Sequence, residues 1–389
     1  MEFNLIRLSS RPWGFRQVCL AGILGLLGTL GCVDGDEGGG GLYLFDNATS
    51  TVQVFSNVEE LHKAAQDSKP VPEAVRSIKS DAFKGITLAW GGLALDDRNH
   101  RLYLVAEDGA VYAIANPKTL KGSISGKDKI TSFRLGSSSD RLGRGSVFGQ
   151  ASVDPNGNCL YVMESSKDGE ESRLWVVRNA SKVSSDTIAK GPKTICSVDG
   201  DKRGAGVAAG VGNRVYALFG GGKNFEDGSG AILSGARLRE GVDGTFPINT
   251  HHKKPINTMV GKNCKIPDAT DYGSVAYDGR NHTVYVLVPK SGDAATSILA
   301  FGEGQFHGHH DQAPNRTLPD PPKALRLIVH PVNGDWLLGA AFTRSGDNGN
   351  GKGLEELYIW KGPSGGGTAV KVAALPGVKE LRGMAMSSD

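Results

Sequence analysis

An internal repeat constrains this chain more than any other feature. Residues 91–104 read GGLALDDRNHRLYL and residues 149–162 read GQASVDPNGNCLYV. The stretches 204–217 (GAGVAAGVGNRVYA), 273–286 (GSVAYDGRNHTVYV) and 325–338 (LRLIVHPVNGDWLL) follow the same plan. Each has a short apolar strand, a polar turn of Asp, Asn and Gly, and a second apolar strand. Asn and Gly tolerate positive φ and Asp bonds its own backbone, so the turns suit tight hairpins. Tyr103, Tyr161, Tyr216, Tyr285 and Leu337 form one column, spaced 58, 55, 69 and 52 residues apart. A unit of this size cannot bury its apolar faces alone, so neighbouring units must stack.

Each hairpin is followed by a third strand candidate: Ala110–Ile114, Arg173–Val177, Ala231–Leu233, Ser297–Phe301 and Glu356–Trp360. Fourth strands are expected at Lys129–Arg134 and Ala369–Ala373. Four strands per unit of some 50–60 residues predict an all-β fold, a β-propeller of four-stranded blades. The 55 glycines agree with many short strands joined by turns. The chain ends with one strand, Leu381–Met386, and its sequence after the Gly-rich stretch opens on Leu42–Phe45 with no strand before it. Pairing the two would build a sixth blade, completed by Thr51–Phe55 and Ala74–Lys79, and close the ring.

The first residues read as a leader. Arg7, Arg11 and Arg16 precede an apolar run from Val18 to Gly31, too short to span a bilayer comfortably but suited to a secretory signal. Thr29-Leu30-Gly31-Cys32 resembles the lipobox of bacterial lipoproteins, with Thr29 where Leu is usual. The resemblance implies cleavage before Cys32 and lipidation of its thiol; an ordinary signal peptide cut nearby is the plainer reading. Val33, not Asp, after the Cys favours the outer membrane of a Gram-negative bacterium. The expected organisation is therefore a signal peptide at 1–31, a Gly-rich tether at 32–41 and the propeller at 42–389. Residues 1–31 hold three Arg and one Glu, so the remainder carries a formal charge of +1. That charge, without a dense Lys/Arg run, gives no ground for a nucleic-acid partner. Of the remaining cysteines, Cys159 reads as a buried thiol, and Cys196 with Cys264 is the pair to test for a disulfide.

The blades "LALDDRNHRLYL", "ASVDPNGNCLYV" and "SVAYDGRNHTVYV" resemble those of six-bladed propellers of the NHL, YWTD and gluconolactonase type. The resemblance covers most of residues 42–389 and concerns architecture. The gluconolactonase branch implies a divalent metal held in the channel by Glu, Asn and Asp, after an inner strand starting Glu-Gly-Pro. The corresponding stretch here, AWGGLALDD, has no Glu.

In a propeller, the residues leading into the innermost strands form one mouth. The register nominates a ligand- or partner-binding rim of Trp90, Phe148, Arg203, Tyr272 and Lys323, with Arg326 and His330 on the fifth inner strand. Aromatic faces with fixed charges suit a peptide or a sugar. The alternative for the aromatics is wedging between blades. Gln150, Ser274 and Arg326 fall on equivalent positions of a polar channel. His307, His309, His310 and Asp311 are weak candidates for metal ligands in a loop, a setting in which His-rich segments bind metals adventitiously. No His-Glu-x-x-His or phosphate loop occurs, and no catalytic or cofactor-binding residue is nominated and no cofactor is expected. The sequence favours a lipid-anchored, non-catalytic binding or assembly scaffold for a protein or glycan. A metal-dependent hydrolase of lactonase type is the alternative.

Overall fold

The computed structural model describes residues 41–136, 142, 145–154, 156–166, 172–183, 194–198, 204–211, 214–219, 231–235, 257–260, 262–266, 273–288, 296–306, 309–319, 321, 325–329, 334–341, 356–373 and 375–387. All of them belong to the compact unit Gly38–Asp389. The segments expected from sequence as a signal peptide (1–31) and as a tether (32–41, except Gly41), Cys32 among them, lie outside this set.

The chain is mainly β, with a β-propeller arrangement of blades. Five blades are each built from a continuous stretch of sequence. Blade 1 comprises Leu88–Asp96, Arg101–Ala106, Ala110–Ala115 and Ile130–Arg134. Blade 2 comprises Val147–Asp154, Cys159–Ser165, Ser172–Arg178 and Thr194–Val198. Blade 3 begins with Gly204–Ala209 and Val215–Phe219, blade 4 with Ser274–Asp278 and Thr283–Val288, and blade 5 with Leu325–Val329 and Trp336–Ala341. A further, composite sheet runs in the order Leu381–Met386, Leu42–Asp46, Thr51–Phe55, Arg76–Lys79. Its first two strands come from opposite ends of the described chain and pair antiparallel, with Leu42 opposite Met386 and Leu44 opposite Met384. The inner strands touch in sequence: blade 1 against 2, 2 against 3, 3 against 4 and 4 against 5. Leu381–Met386 lies against the inner strands of blades 5 and 1.

Burial between sheets explains the tyrosine column. Tyr103, Tyr161, Tyr216 and Tyr285 are fully buried, each opposite a small residue of the inner strand: Ala94, Ser152, Ala208 and Ala276. Tyr43 opposite Ala385 repeats the arrangement in the composite sheet. Each ring packs against the next sheet: Tyr103 with Leu160 and Trp175, Tyr161 with Val207 and Val215, Tyr43 with Leu93 and Leu102. Burying these rings removes apolar area between the sheets and contributes to their cohesion, offset in part by the cost of taking the hydroxyls out of water.

Blade 5 departs from the expected register. Val329 pairs with Leu338 and Ile328 with Gly339. Leu338, not Leu337, therefore takes the column position and packs with Leu42 and Leu44 of the composite sheet, whereas Leu337 faces back to Tyr285. A shift of one residue reverses the face of every side chain.

The hairpin turns use the buried Asp that ends the inner strand. Asp154 Oδ1 accepts from the N–H groups of Asn156 and Gly157, and Asp278 Oδ1 from those of Arg280 and Asn281. Asp96 Oδ1 accepts from Asn99 N. The left-handed residue that closes these turns is His100, Asn158 or His282, each at φ near +50°.

Two elements were not expected. Helix α1, Val58–Gln66, follows Thr51–Phe55; Asn57 caps it, and Val58 and Leu61 pack on the apolar layer between blade 5 and the composite sheet. Two-residue strands also reach back to the preceding sheet. Gly122–Ser123 pairs parallel with Ile78–Lys79, and His309–His310 with Thr258–Met259. Both cover an outer edge that would otherwise present unpaired backbone groups.

Candidate functional site

The inner strand of blade 1 carries Trp90 at its start, inside a bulge where pairing with the next strand is interrupted between Leu88 and Leu93. The guanidinium carbon of Arg382 lies 4.0 Å from the centre of the Trp90 ring. Arg382 Nη1 donates to Glu107 Oε1 at 2.9 Å and Nε to Glu380 Oε1 at 3.0 Å. The cluster joins the composite sheet to blade 1 at the mouth. Burial pushes the Glu107 carboxyl above its usual value, against the opposing pull of Arg382. Cation–π contact with a half-buried Trp contributes about 0.5–2 kcal/mol.

Of the other rim residues, Phe148 is 2% exposed and wedges between blades 1 and 2 against Trp175. Gly109 makes room for it: a Cβ there would lie 2.5 Å from the Phe148 ring, and φ is +80°. Arg326 lies on the inner strand of blade 5, its side chain outside the described set. Arg203, Tyr272, Lys323 and His330 also lie outside it. Trp90 is thus brought together with Arg382, Glu107 and Glu380, not with Phe148. The sequence reading missed Arg382 and Glu107 as members of the site. The available signal was position: Arg382 follows Leu381, which sits in the same repeat slot as Trp90, and Glu107 follows the second strand of its blade.

Glu164 holds the same end of blade 2. Its buried carboxylate accepts from Ser146 Oγ at 2.6 Å, Trp175 Nε1 at 2.7 Å and Leu142 N at 3.2 Å. It fastens the segment leading into the inner strand to the blade behind it.

An axial cavity of about 150 Å³ lies between the inner strands, lined by Leu93, Ala94, Gln150, Val207, Val275 and Met384 among others. Gln150 spans it. Its Nε2 donates to Val275 O at 2.8 Å, and its Oε1 accepts from Val275 N at 3.0 Å, Val207 N at 3.2 Å and Ser274 Oγ at 3.2 Å. One side chain of blade 2 thereby joins blades 3 and 4. Gly206 permits the crossing, since a Cβ there would meet Gln150 Oε1 at 2.5 Å. Inner strands have no neighbour on the axial side, and the amide supplies partners for their exposed backbone groups. Gln150 and Ser274, read from sequence as channel-lining polar groups, are engaged with the inner strands.

His309 and His310 form the short parallel strand described above, and His307 lies outside the described residues. Asp311 Oδ1 accepts from Asn263 N at 2.7 Å and Cys264 N at 3.1 Å, and Oδ2 from Asn263 Nδ2 at 2.9 Å. Both oxygens hold a 3-10 turn, Lys262–Cys264. Among the described residues, no three His, Cys, Asp or Glu side chains converge as metal ligands would. Cys159 is a buried thiol donating to Gly157 O at 3.2 Å; the side chain of Cys196 is outside the described set.

No protein-family model matches the chain, and no curated protein matches it. Solved structures similar to it include a protein assigned as TolB from Agrobacterium tumefaciens, with 10% identity, 86% of this chain and 88% of that one covered, and a TM-score of 0.43. Hydrazine synthase from Kuenenia stuttgartiensis is 12% identical over 74% of this chain and 68% of that chain, with a TM-score of 0.40. The WD40 domain of Pan2 from Neurospora crassa is 12% identical over 74% of this chain and 67% of that chain, also with a TM-score of 0.40. At this level of similarity none of them bears on what the chain does.

Proposed function

We propose that this chain is a six-bladed propeller, closed by the composite sheet as its sixth blade, that serves as a non-catalytic binding or assembly scaffold. It is anchored by a lipid on Cys32 in the cell envelope, at the outer membrane of a Gram-negative bacterium, and engages a protein or glycan at the mouth around Trp90. The blade motifs' resemblance to NHL, YWTD and gluconolactonase-type propellers fits the six-blade count. The observation that carries the scaffold reading is the engagement of Gln150. The polar side chain that spans the axis holds three blades together through backbone bonds, which favours the mouth as the recognition surface. This role calls for no cofactor.

The test is recovery of the partner from cross-linked envelopes by the full chain and by Trp90→Ala and Tyr272→Ala variants that keep the parent circular dichroism. Loss of one defined partner, protein or glycan, is expected with either variant. Unchanged recovery would count against the mouth, and hydrolysis of a lactone that depends on added divalent cation would overturn the scaffold reading.

A further inference from the structure

We infer that blade 1 carries a second ligand site, at its hairpin turn rather than at the Trp90 mouth, and that this site takes a neutral polyhydroxylated ligand, a saccharide. Trp90 lies near the start of the inner strand Leu88–Asp96, and the hairpin turn lies beyond its end. A cavity of about 430 Å³ opens at the turn, lined by Leu95, Asp97, His100, Asn116, Pro117 and Lys118 among others. Small-molecule sites typically enclose about 300–1,000 Å³. Two turns form the walls. One is the hairpin turn; the other is the 3-10 turn Pro117–Thr119, which follows Ala110–Ala115. Asn116 N donates to His100 O at 2.8 Å, and Lys118 Nζ lies 3.4 Å from Asp97 Oδ1. The walls are thus tied to each other without a ligand.

Comparison across the repeat sets this turn apart. Asn158 and His282 hold the place of His100 in blades 2 and 4, each left-handed and each following the Asp that ends the inner strand by the same interval. In both blades that side chain closes onto the facing turn. Asn158 Nδ2 donates to Ser181 Oγ, and Asn158 Oδ1 accepts from Ser181 N, both at 2.8 Å. His282 Nδ1 lies 2.8 Å from Glu303 Oε2. In blade 1 the strand register puts Lys118 where blade 2 has Ser181, and Asn116 where blade 4 has Glu303. Asn116 makes no side-chain cap bond, and among the described residues the His100 ring has no hydrogen-bond partner. Polar groups that the other two blades use internally therefore face a cavity here.

The lining chemistry selects the ligand class. The Asp97 carboxylate accepts from Ser387 Oγ at 3.2 Å and retains further lone pairs. Lys118 donates, and the Asn116 amide does both. Thr119 Oγ1 donates to Asn116 O at 3.1 Å, which leaves its lone pairs as acceptors. Asp96 also lines the cavity, but its oxygens accept from Asn99 N and Asn99 Nδ2. Donors and acceptors interleaved in this way match vicinal hydroxyls, each of which gives and takes a hydrogen bond. The two carboxylates stand against an anionic ligand, and Lys118 stands against a cationic one. Leu95, Pro117 and the imidazole face supply apolar surface for the C–H face of a sugar ring.

The test is titration of the full chain with methyl glucoside, methyl galactoside and methyl mannoside, read by saturation-transfer NMR, with methyl glucuronide as the anionic probe and glucosamine as the cationic one. Saturation of the ring protons of a neutral glycoside is expected, with a dissociation constant of about 1 mM. Asn116→Gly keeps the left-handed backbone and removes the amide. His100→Asn with Lys118→Ser copies the closed pair of blade 2, so this double variant should keep the parent's unfolding midpoint. Each variant should weaken binding at least about tenfold. The inference is overturned by no saturation of any neutral glycoside, by equal binding in the parent and the double variant, or by tighter binding of the glucuronide or glucosamine. Loss of binding in Trp90→Ala with retention in the double variant would move the sugar to the mouth and likewise overturn it.

Discussion

Substitution of Gly206 by Ala tests the axial arrangement most sharply. The added Cβ would lie 2.5 Å from Gln150 Oε1, 2.9 Å from Val275 N and 3.0 Å from Ser274 Cα. The amide oxygen, at the end of a side chain, can retreat. Retreat breaks its bonds with Val207 N and Val275 N, which are buried at the axis. Each buried donor left without a partner costs about 1–3 kcal/mol, and overpacking against the remaining backbone atoms a further 1–3 kcal/mol or so. The expected cost of Gly206→Ala is therefore at least about 3 kcal/mol. Gln150→Ala alone should cost about 2–6 kcal/mol by leaving the same two donors unpaired. With Gln150 already truncated, Gly206→Ala meets only backbone, so the double variant should be more stable than the sum of the two losses by at least about 1 kcal/mol. Equilibrium urea unfolding of the four proteins, followed by tryptophan fluorescence, supplies the cycle. Additivity within about 0.5 kcal/mol would refute the crossing of Gln150 over Gly206.

Two further outcomes follow from the seams between sheets. Arg382→Met removes the stacking on Trp90 and leaves the half-buried Glu107 without its cation, for an expected loss of about 1–3 kcal/mol. Glu107 already sits above its unfolded value, so removing Arg382 raises it further. The variant should lose additional stability relative to the parent as pH rises from about 4 to neutral, where the unfolded chain ionises freely; urea midpoints at both ends of that range check it. His62, 9% exposed beside Trp336 with ring centres 5.3 Å apart, is held below its usual value by burial, aided by Lys361. Its neutral form is the one that fits, so the unfolded chain binds its proton first. Stability should fall as pH drops below about 6.5. Thermal unfolding at pH 7.5 and 5.5 should show that His62→Leu reduces this dependence, and an unaltered dependence would contradict it.

What the sequence disclosed was what repeats. Alternating apolar strands, the Asp-led turns and the tyrosine column recur at similar spacing, so their strands and facing could be read from local chemistry. The pairing of Leu42–Asp46 with Leu381–Met386 was also legible, because each end lacks the half that the other supplies. Helix α1 breaks the repeat and was missed, although Asn57 before Val58, Leu61 and Ala65 is a capped amphipathic pattern. The slip from Leu337 to Leu338 was hidden because both are Leu, so either register leaves an apolar residue at the column position. The site was less legible than the fold. Trp90 stood out as an exposed-slot aromatic, but Phe148 looked the same and is a wedge. The partners of Gln150 and Asp311 come from other blades or from distant loops, and spacing carries no record of such contacts.

Disulfide trapping across the two ends of the chain bears most directly on the closed ring. Leu44 and Met384 are directly opposed in the pairing, a geometry whose Cα separation suits a disulfide. The account expects Leu44→Cys with Met384→Cys to oxidise quantitatively in the native protein, with a loss of two hydrogens by mass and a raised unfolding midpoint. Leu44→Cys with Ala385→Cys, whose side chains point to opposite faces, should remain reduced. Failure of the first pair to cross-link, or equal cross-linking of both, would contradict closure by these strands.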